Sequence, residues 1–203
     1  MSKDNKAASK AAPWDKGYCA PDPLYAPEQA ALMARLRSDV SERLWGKRLK
    51  HSFGVAATAL WLARRCGVDE FEAEAAGLLH DWDKKLSSEE LWGKVDEYGI
   101  DVPRVDGALP VLHGLTAAAS LPRDYPELGA EVFQAIARHT TGAPGMTDLD
   151  MVVYVADMIE PGREGGFVDD IRKLACTAPL RQVYAECVRV GLIYLLKSGR
   201  FVY

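Results

Sequence analysis

The sequence predicts an all-α fold, a compact multi-helix bundle built around one core. Its 203 residues are 48% hydrophobic and 27% charged, a composition typical of a globular domain. From Pro27 onward apolar residues recur every three or four positions, as in Leu32, Leu36, Val40 and Leu44, which is the spacing of one helix face. Alternating runs of β-branched residues are scarce, so the pattern favours helices over strands.

Start and stop signals define the first four helices. Pro27 suits a first helical turn, and Gly67 ends the second helix. Ser87 with Glu90 three residues later has the form of a capping box, in which each residue binds a free N–H group of the other. The predicted ranges are about 27–44, 45–66, 69–80 and 87–99.

Five further helices follow along the second half of the chain. Pro161 ends the third of these, because proline lacks the N–H group that a helix interior needs. The predicted ranges are about 110–120, 127–140, 148–160, 168–176 and 179–197. We expect residues 1–25, which show no periodicity, to form a flexible N-terminal extension and residues 26–203 to form the domain.

Charge and cysteine usage exclude several classes of protein. The formal net charge of −4 argues against binding to nucleic acid or to an anionic membrane surface. No run reaches the roughly 18 apolar residues of a membrane span, and the polar N-terminus lacks a signal-peptide core. The four cysteines form no C-x-x-C pair. We therefore expect reduced thiols and a cytoplasmic location.

The chain has four histidines, and each lies in or at the end of a predicted helix beside small or apolar residues. Asp81 directly follows one of them, and Asp157 lies in a nearly all-apolar helix. Taken singly, each is more simply a hydrogen-bonded structural residue. Together they form a nitrogen and oxygen donor set that suits Mn, Fe, Co or Ni, and less readily Zn or Mg. The six candidate metal ligands are His51, His80, Asp81, His113, His139 and Asp157.

The order of these residues resembles a known superfamily. His51, then the pair His80-Asp81, then Asp157 match the H…HD…D order of the HD-domain metal-dependent phosphohydrolases. Five segments resemble the branch of symmetrical bis(5′-nucleosyl)-tetraphosphatases: Arg48–His51, Gly77–Lys84, Ala135–Met146, Val153–Arg163 and Val168–Leu174. The resemblance covers about residues 30–197, nearly all of the predicted domain.

The resemblance implies a centre of one or two divalent ions. It places one ion on His51, His80, Asp81 and Asp157, while His113 and His139 would complete a second site or hold phosphate. Iron is the first expectation for the metal, with manganese, cobalt or magnesium as alternatives.

The implied reaction is the hydrolysis of a dinucleoside tetraphosphate such as diadenosine tetraphosphate into two nucleoside diphosphates. Asp81 and Lys84 would act in catalysis, and Arg48, Lys84, Thr140 and Arg163 would bind the substrate. Two alternatives stay open: another HD-type nucleotide phosphohydrolase, acting on a deoxynucleotide or an alarmone, and a non-catalytic nucleotide-sensing module. A homodimer is also left open.

Two residues beside the His-Asp pair raise separate questions. Asp83 adds a carboxylate where the resembling family usually has none, and its charge would repel a phosphate. Trp82 lies between the two aspartates and is the tryptophan expected nearest to a ligand.

Overall fold

A computed structural model describes residues 11–16, 18–19 and 22–202. These residues form nine α-helices and no strand, which confirms the all-α prediction. The helices are α1 (Pro27–Arg43), α2 (Gly46–Cys66), α3 (Glu70–Leu79), α4 (Ser88–Glu97), α5 (Leu109–Asp124), α6 (Ala130–Arg138), α7 (Asp148–Ile159), α8 (Gly166–Ala175) and α9 (Leu180–Ser198). A 3-10 turn, Asp106–Ala108, precedes α5. Within the described ranges, no helix is both long and apolar enough to cross a membrane.

Most helix ends lie where the local signals place them. The capping box is present at α4, where the Ser87 hydroxyl accepts from the Glu90 N–H and the Glu90 carboxylate accepts from the Ser87 N–H. Helix α5 is longer than predicted and contains Pro122 in its last turn. Helix α6 ends at Arg138, so the predicted end at residue 140 is wrong and Thr140 lies in the following turn.

Helix α2 forms the centre of the bundle and packs against α3 and α7. Its inner face, which includes Val55, Ala59 and Ala63, is fully buried. Helix α7 faces it with Val152 and Ala156, also fully buried. The many alanines on these faces let the helix axes approach closely. This packing brings the candidate ligands on α2 and α7, and those that directly follow α3, to one region of the molecule.

Part of the N-terminal segment packs on the outside of α2. Trp61 donates its indole N–H to the carbonyl of Ala11 at 3.0 Å. Trp14 packs edge-on against the same indole, with 5.1 Å between ring centroids, and Ala12 is fully buried. Residues 1–10 lie outside the described residues, so the flexible extension with its boundary at residue 25 stays a prediction.

Asp83 ties together three helices and the turn that follows α3. Its fully buried carboxylate accepts from Arg43 of α1 at 2.8 Å and from Lys94 of α4 at 2.7 Å. Lys94 also donates to the Ser120 hydroxyl of α5 at 2.8 Å. Two cations therefore balance the charge of Asp83. These contacts fix the turn after α3, which carries His80.

Trp82 lies in the same turn after α3. It is nearly buried, with the Arg43 guanidinium 4.6 Å from its ring and Tyr125 packed edge-on against it. Trp82 therefore fills the space between α1 and the end of α5, and the expectation that it lies near a ligand is wrong.

We predict that Asp83→Asn lowers the free energy of unfolding by about 2–3 kcal/mol, because it leaves two cations facing a neutral group in a buried position. Urea unfolding followed by circular dichroism measures this change. Asp96→Asn is the matched control, because Asp96 pairs with Arg104 at the exposed surface, where ion pairs contribute little. Equal effects of the two substitutions would contradict the structural role of Asp83.

Candidate metal centre

The six candidate ligands converge on one buried cluster, although they come from five parts of the chain. His51 lies near the start of α2, and His113 lies within α5. Asp157 lies near the end of α7, and the remaining ligands directly follow α3 or α6. Their donor atoms form three overlapping groups, each within 4.8 Å: His51 with His80 and Asp81, His80 with His139 and Asp157, and Asp81 with His113 and His139.

One half of the cluster surrounds the Nε2 atom of His51. This atom lies 3.1 Å from Oδ1 of Asp157, 3.5 Å from Oδ2 of Asp81 and 3.2 Å from Nε2 of His80. His80 Nε2 lies 3.4 Å from the same Asp81 oxygen. Two imidazole nitrogens and two carboxylates therefore enclose one position, as the resemblance implies for the first ion.

The other half of the cluster is joined to the first by Asp81. The second oxygen of Asp81, Oδ1, lies 3.1 Å from Nε2 of His113. His113 Nε2 in turn lies 3.1 Å from Nε2 of His139. One carboxylate therefore faces both pairs of histidines, an arrangement that suits either one ion or two ions with a shared ligand.

Outer hydrogen bonds direct the imidazole nitrogens inward. Nδ1 of His80 donates to the carbonyl of Gly77 at 2.7 Å, and Nδ1 of His139 donates to the carbonyl of Ile136 at 2.7 Å. His51 uses Nδ1 to donate to Oε1 of Glu160 at 3.0 Å. A carbonyl oxygen can only accept, so His80 and His139 each carry a proton on Nδ1, and in all three rings Nε2 points to the centre. Outer partners of this kind are typical of metal-bound histidines.

The cluster fits a divalent cation on its own chemistry. The Nε2 atoms of His51 and His80 face each other at 3.2 Å, and the carboxylates of Asp81 and Asp157 face the same position. A positive charge stabilises this grouping of electron-rich atoms, and either a proton on His51 or a bound cation can supply it. Nitrogen and carboxylate donors without thiolate favour a transition metal at a catalytic site rather than structural zinc.

The local charges keep Asp157 and His139 in the protonation states that metal binding requires. Burial raises the pKa of Asp157, but the hydrogen bond from His51 and the charges of His80 and Arg163 outweigh it and hold that pKa well below its usual range. Burial, together with His80 and His113, lowers the pKa of His139 to about 3. The carboxylate is therefore ionised and this imidazole neutral at physiological pH.

The pKa of His51 is shifted in the opposite direction to that of His139. Burial lowers its pKa, but hydrogen bonds to Asp157 and Glu160 outweigh this effect and raise the pKa to about 9. The position between these carboxylates therefore favours positive charge, whether a proton or a metal ion supplies it.

Three cationic side chains border the cluster. Arg48 donates to Oδ2 of Asp81 at 2.5 Å, and Arg163 donates to Oδ1 of Asp157 at 2.5 Å. The ammonium group of Lys84 lies 3.3 Å from both ring nitrogens of His113. The three cationic residues expected to bind the substrate therefore contact candidate metal ligands.

Thr140 lies beside the same cluster, in the turn after α6. Its hydroxyl is buried and has no hydrogen-bonding partner among the described residues. Together with His139, Asp157 and Arg163, it lines a cavity that opens at the edge of the cluster. Thr140 therefore lines a cavity whose wall also includes two candidate metal ligands.

Two residues of the site were missed at the sequence level. Glu160 is nearly buried and holds His51 in place; its spacing of three from Asp157, one helical turn, was the available signal. Gly114 of α5 lies where a Cβ atom would be 2.9 Å from the carbonyl of Ile136 and 3.0 Å from the ring of His139. Only a glycine leaves room for His139 at this position.

Comparisons with known proteins agree with this geometry. The HD domain family matches residues 48–162, a range that contains all six candidate ligands. A Bacillus subtilis protein named symmetrical bis(5′-nucleosyl)-tetraphosphatase is 34% identical over 164 residues, covering 81% of this chain and 88% of that protein. A Staphylococcus aureus protein with the same name is 34% identical over 163 residues, covering 80% of this chain and 84% of that protein.

A solved structure shares the fold as well. It is a Clostridium acetobutylicum protein described as a predicted HD superfamily hydrolase involved in NAD metabolism. The two structures superpose with a TM-score of 0.76 at 31% sequence identity, covering 84% of this chain and 90% of the other. The chain therefore belongs to the HD-domain family, in the group of the symmetrical bis(5′-nucleosyl)-tetraphosphatases.

Proposed function

We propose that this protein is a metal-dependent hydrolase that splits dinucleoside tetraphosphates, such as diadenosine tetraphosphate, into two nucleoside diphosphates. One observation carries the proposal: six inward-facing metal ligands lie in contact with three cationic side chains. The names of the Bacillus and Staphylococcus relatives support the choice of substrate.

The charges of the site suit a polyphosphate. The carboxylates of Asp81, Asp157 and Glu160 are opposed by the cations Arg48, Lys84 and Arg163. With neutral histidines, a bound divalent ion leaves this group with an excess of positive charge. A ligand with several negative charges is therefore attracted to the site.

A divalent ion in this centre supplies polarisation of the phosphoryl oxygens and makes water more acidic. His51, His80, Asp81 and Asp157 would hold it, and His113 and His139 would hold a second ion or a phosphate oxygen. The complete donor set argues against a sensing module without activity, because such a module needs no inner ligand set. We propose iron as the metal in the cell, with manganese, cobalt and magnesium as alternatives.

The two arginines would hold the phosphates without leaving their carboxylates. A guanidinium group has five N–H donors, and the bonds to Asp81 and Asp157 use only part of this set. Arg48 and Arg163 can therefore each donate to a phosphoryl oxygen while staying anchored. Anchored donors of this kind fix the phosphorus atom in line with the attacking water.

Asp81 and Lys84 have separate tasks in the reaction. Asp81 lies between the two halves of the cluster and accepts a hydrogen bond from the attacking water, which orients it. The water oxygen bonds to one central phosphorus atom, the central P–O bridge breaks, and the bridging oxygen leaves with the other nucleoside diphosphate, while the protons that the water loses pass to solvent. Lys84 neutralises the negative charge that builds up on the phosphoryl oxygens.

The cytoplasm is the compartment that we propose for this reaction. Cys66, Cys176 and Cys187 are all thiols, which is typical of a reducing compartment.

We predict that the purified protein, given diadenosine tetraphosphate with manganese, iron, cobalt or magnesium in separate assays, forms ADP as its sole product. Attack at the central bridge gives two identical halves, so neither ATP nor AMP accumulates. A chelator abolishes turnover, because the ligand set requires a divalent ion. Separation of the products by chromatography measures this result.

Two variants control the assay. Asp81→Ala removes the carboxylate shared by both halves of the cluster, and we expect turnover to fall at least 1,000-fold, on the order of the loss seen when essential catalytic groups are removed. Asp96→Ala removes an exposed aspartate and leaves turnover unchanged. ATP plus AMP as products would contradict symmetrical cleavage, and unchanged turnover in Asp81→Ala would contradict the assigned centre.

We also predict that Glu160→Gln weakens metal binding about tenfold, because it removes the charged partner that holds His51 in place. Competition with a chromogenic chelator measures the affinity without recourse to activity. Glu186→Gln, which changes a glutamate of α9 that pairs with Arg189, is the control. Unchanged metal affinity in Glu160→Gln would show that Glu160 does not position the ligand.

A further inference from the structure

A cavity of about 310 Å³ opens beside the metal centre, between the turn after α6, helix α7 and the start of α8. His139 and Asp157 form part of its wall, and Arg163 borders it. We propose that this cavity is a nucleoside subsite, in which the base of one half of the substrate packs against Phe167. The inference rests on the proposed function in taking a nucleotide as the ligand.

The walls of the cavity match a flat heterocycle rather than a phosphate. Tyr154 and Met158 lie one helical turn apart on α7 and both face the cavity, with Phe167 contributed by α8. Aromatic rings and a thioether bind the faces of a base by stacking and dispersion. A polyphosphate gains nothing from such surfaces, so they point to the nucleoside end of the ligand.

Phe167 is positioned for this contact by the glycine two residues before it. The ring lies in the first turn of α8 and is 47% exposed, so part of it is free to receive a ligand. Gly165 has a φ of +130°, and a Cβ atom there would lie 3.3 Å from the Phe167 ring. A side chain at 165 would strain the backbone and press on the ring.

Thr140 supplies a polar group to the same cavity. Its buried hydroxyl has no partner among the residues described, and an unpaired buried hydroxyl is unfavourable. A base edge or a ribose hydroxyl offers the donor or acceptor that would satisfy it. This assigns Thr140, which the resemblance gives as a substrate-binding residue, to the nucleoside part of the substrate.

The subsite is continuous with the phosphate site. Asp157 is both a candidate metal ligand and part of the cavity wall, and Arg163 contacts Asp157 while lining the cavity. A nucleoside in the cavity therefore has its own phosphates beside the metal centre and Arg163. A nucleoside diphosphate, which is each product of the proposed reaction, would bind in this way.

The test compares ADP with inorganic pyrophosphate as ligands of the full chain in the presence of manganese, using isothermal titration calorimetry. Phe167→Ala removes the stacking ring, and we expect the affinity for ADP to fall about tenfold while the affinity for pyrophosphate stays unchanged. Phe167→Trp retains ADP binding. Leu196→Ala, at a strongly exposed position of α9 outside the cavity, is the matched control and changes neither affinity.

Thr140→Val gives a second, independent variant of nearly the same shape, and we expect it to weaken ADP binding severalfold without affecting pyrophosphate. Unchanged ADP affinity in Phe167→Ala and Thr140→Val, or an equal loss of both ligands, would overturn the subsite. Phe167-dependent ADP binding in a protein that releases no ADP from diadenosine tetraphosphate would support the subsite and contradict the proposed reaction. These measurements therefore distinguish a failure of the nucleoside subsite from a failure of the proposed reaction.

Discussion

The charge of the buried Asp81 and the partly buried Asp157 beside four imidazole rings is the constraint on which the rest of this structure depends. A buried carboxylate is costly unless a positive charge compensates it. Three of the rings donate from Nδ1 to outer acceptors, so their Nε2 atoms point toward the carboxylates. A divalent cation held by these nitrogens and carboxylates would compensate the buried negative charge. We therefore expect metal binding to stabilise the fold.

The packing of the helix bundle holds these groups in contact. Helices α2, α3 and α7 pack through small side chains, and Gly114 admits the ring of His139. Asp83 stabilises the turn after α3, which carries His80, and Arg43 and Lys94 balance its charge. The same packing leaves a cavity next to Asp157. The candidate metal ligands, the cations proposed to bind phosphate and the proposed nucleoside cavity thus adjoin one another.

The sequence was informative wherever local physics decides the outcome. Apolar spacing and the capping box at Ser87 predict the helices, and the order of histidines and aspartates predicts the ligands. It was misleading where a turn decides the direction of a side chain. Trp82 and Asp83 follow Asp81 directly, yet the turn directs their side chains toward Arg43. Glu160 was missed because Pro161 marked it only as a helix end.

The location of the metal is the most direct test of this account. Crystals grown with manganese would be measured by anomalous diffraction at a wavelength that reports that element. The account predicts a peak within coordination distance of the Nε2 atoms of His51 and His80 and of the carboxylates of Asp81 and Asp157. A peak elsewhere, or none while these side chains keep the same positions, would contradict it.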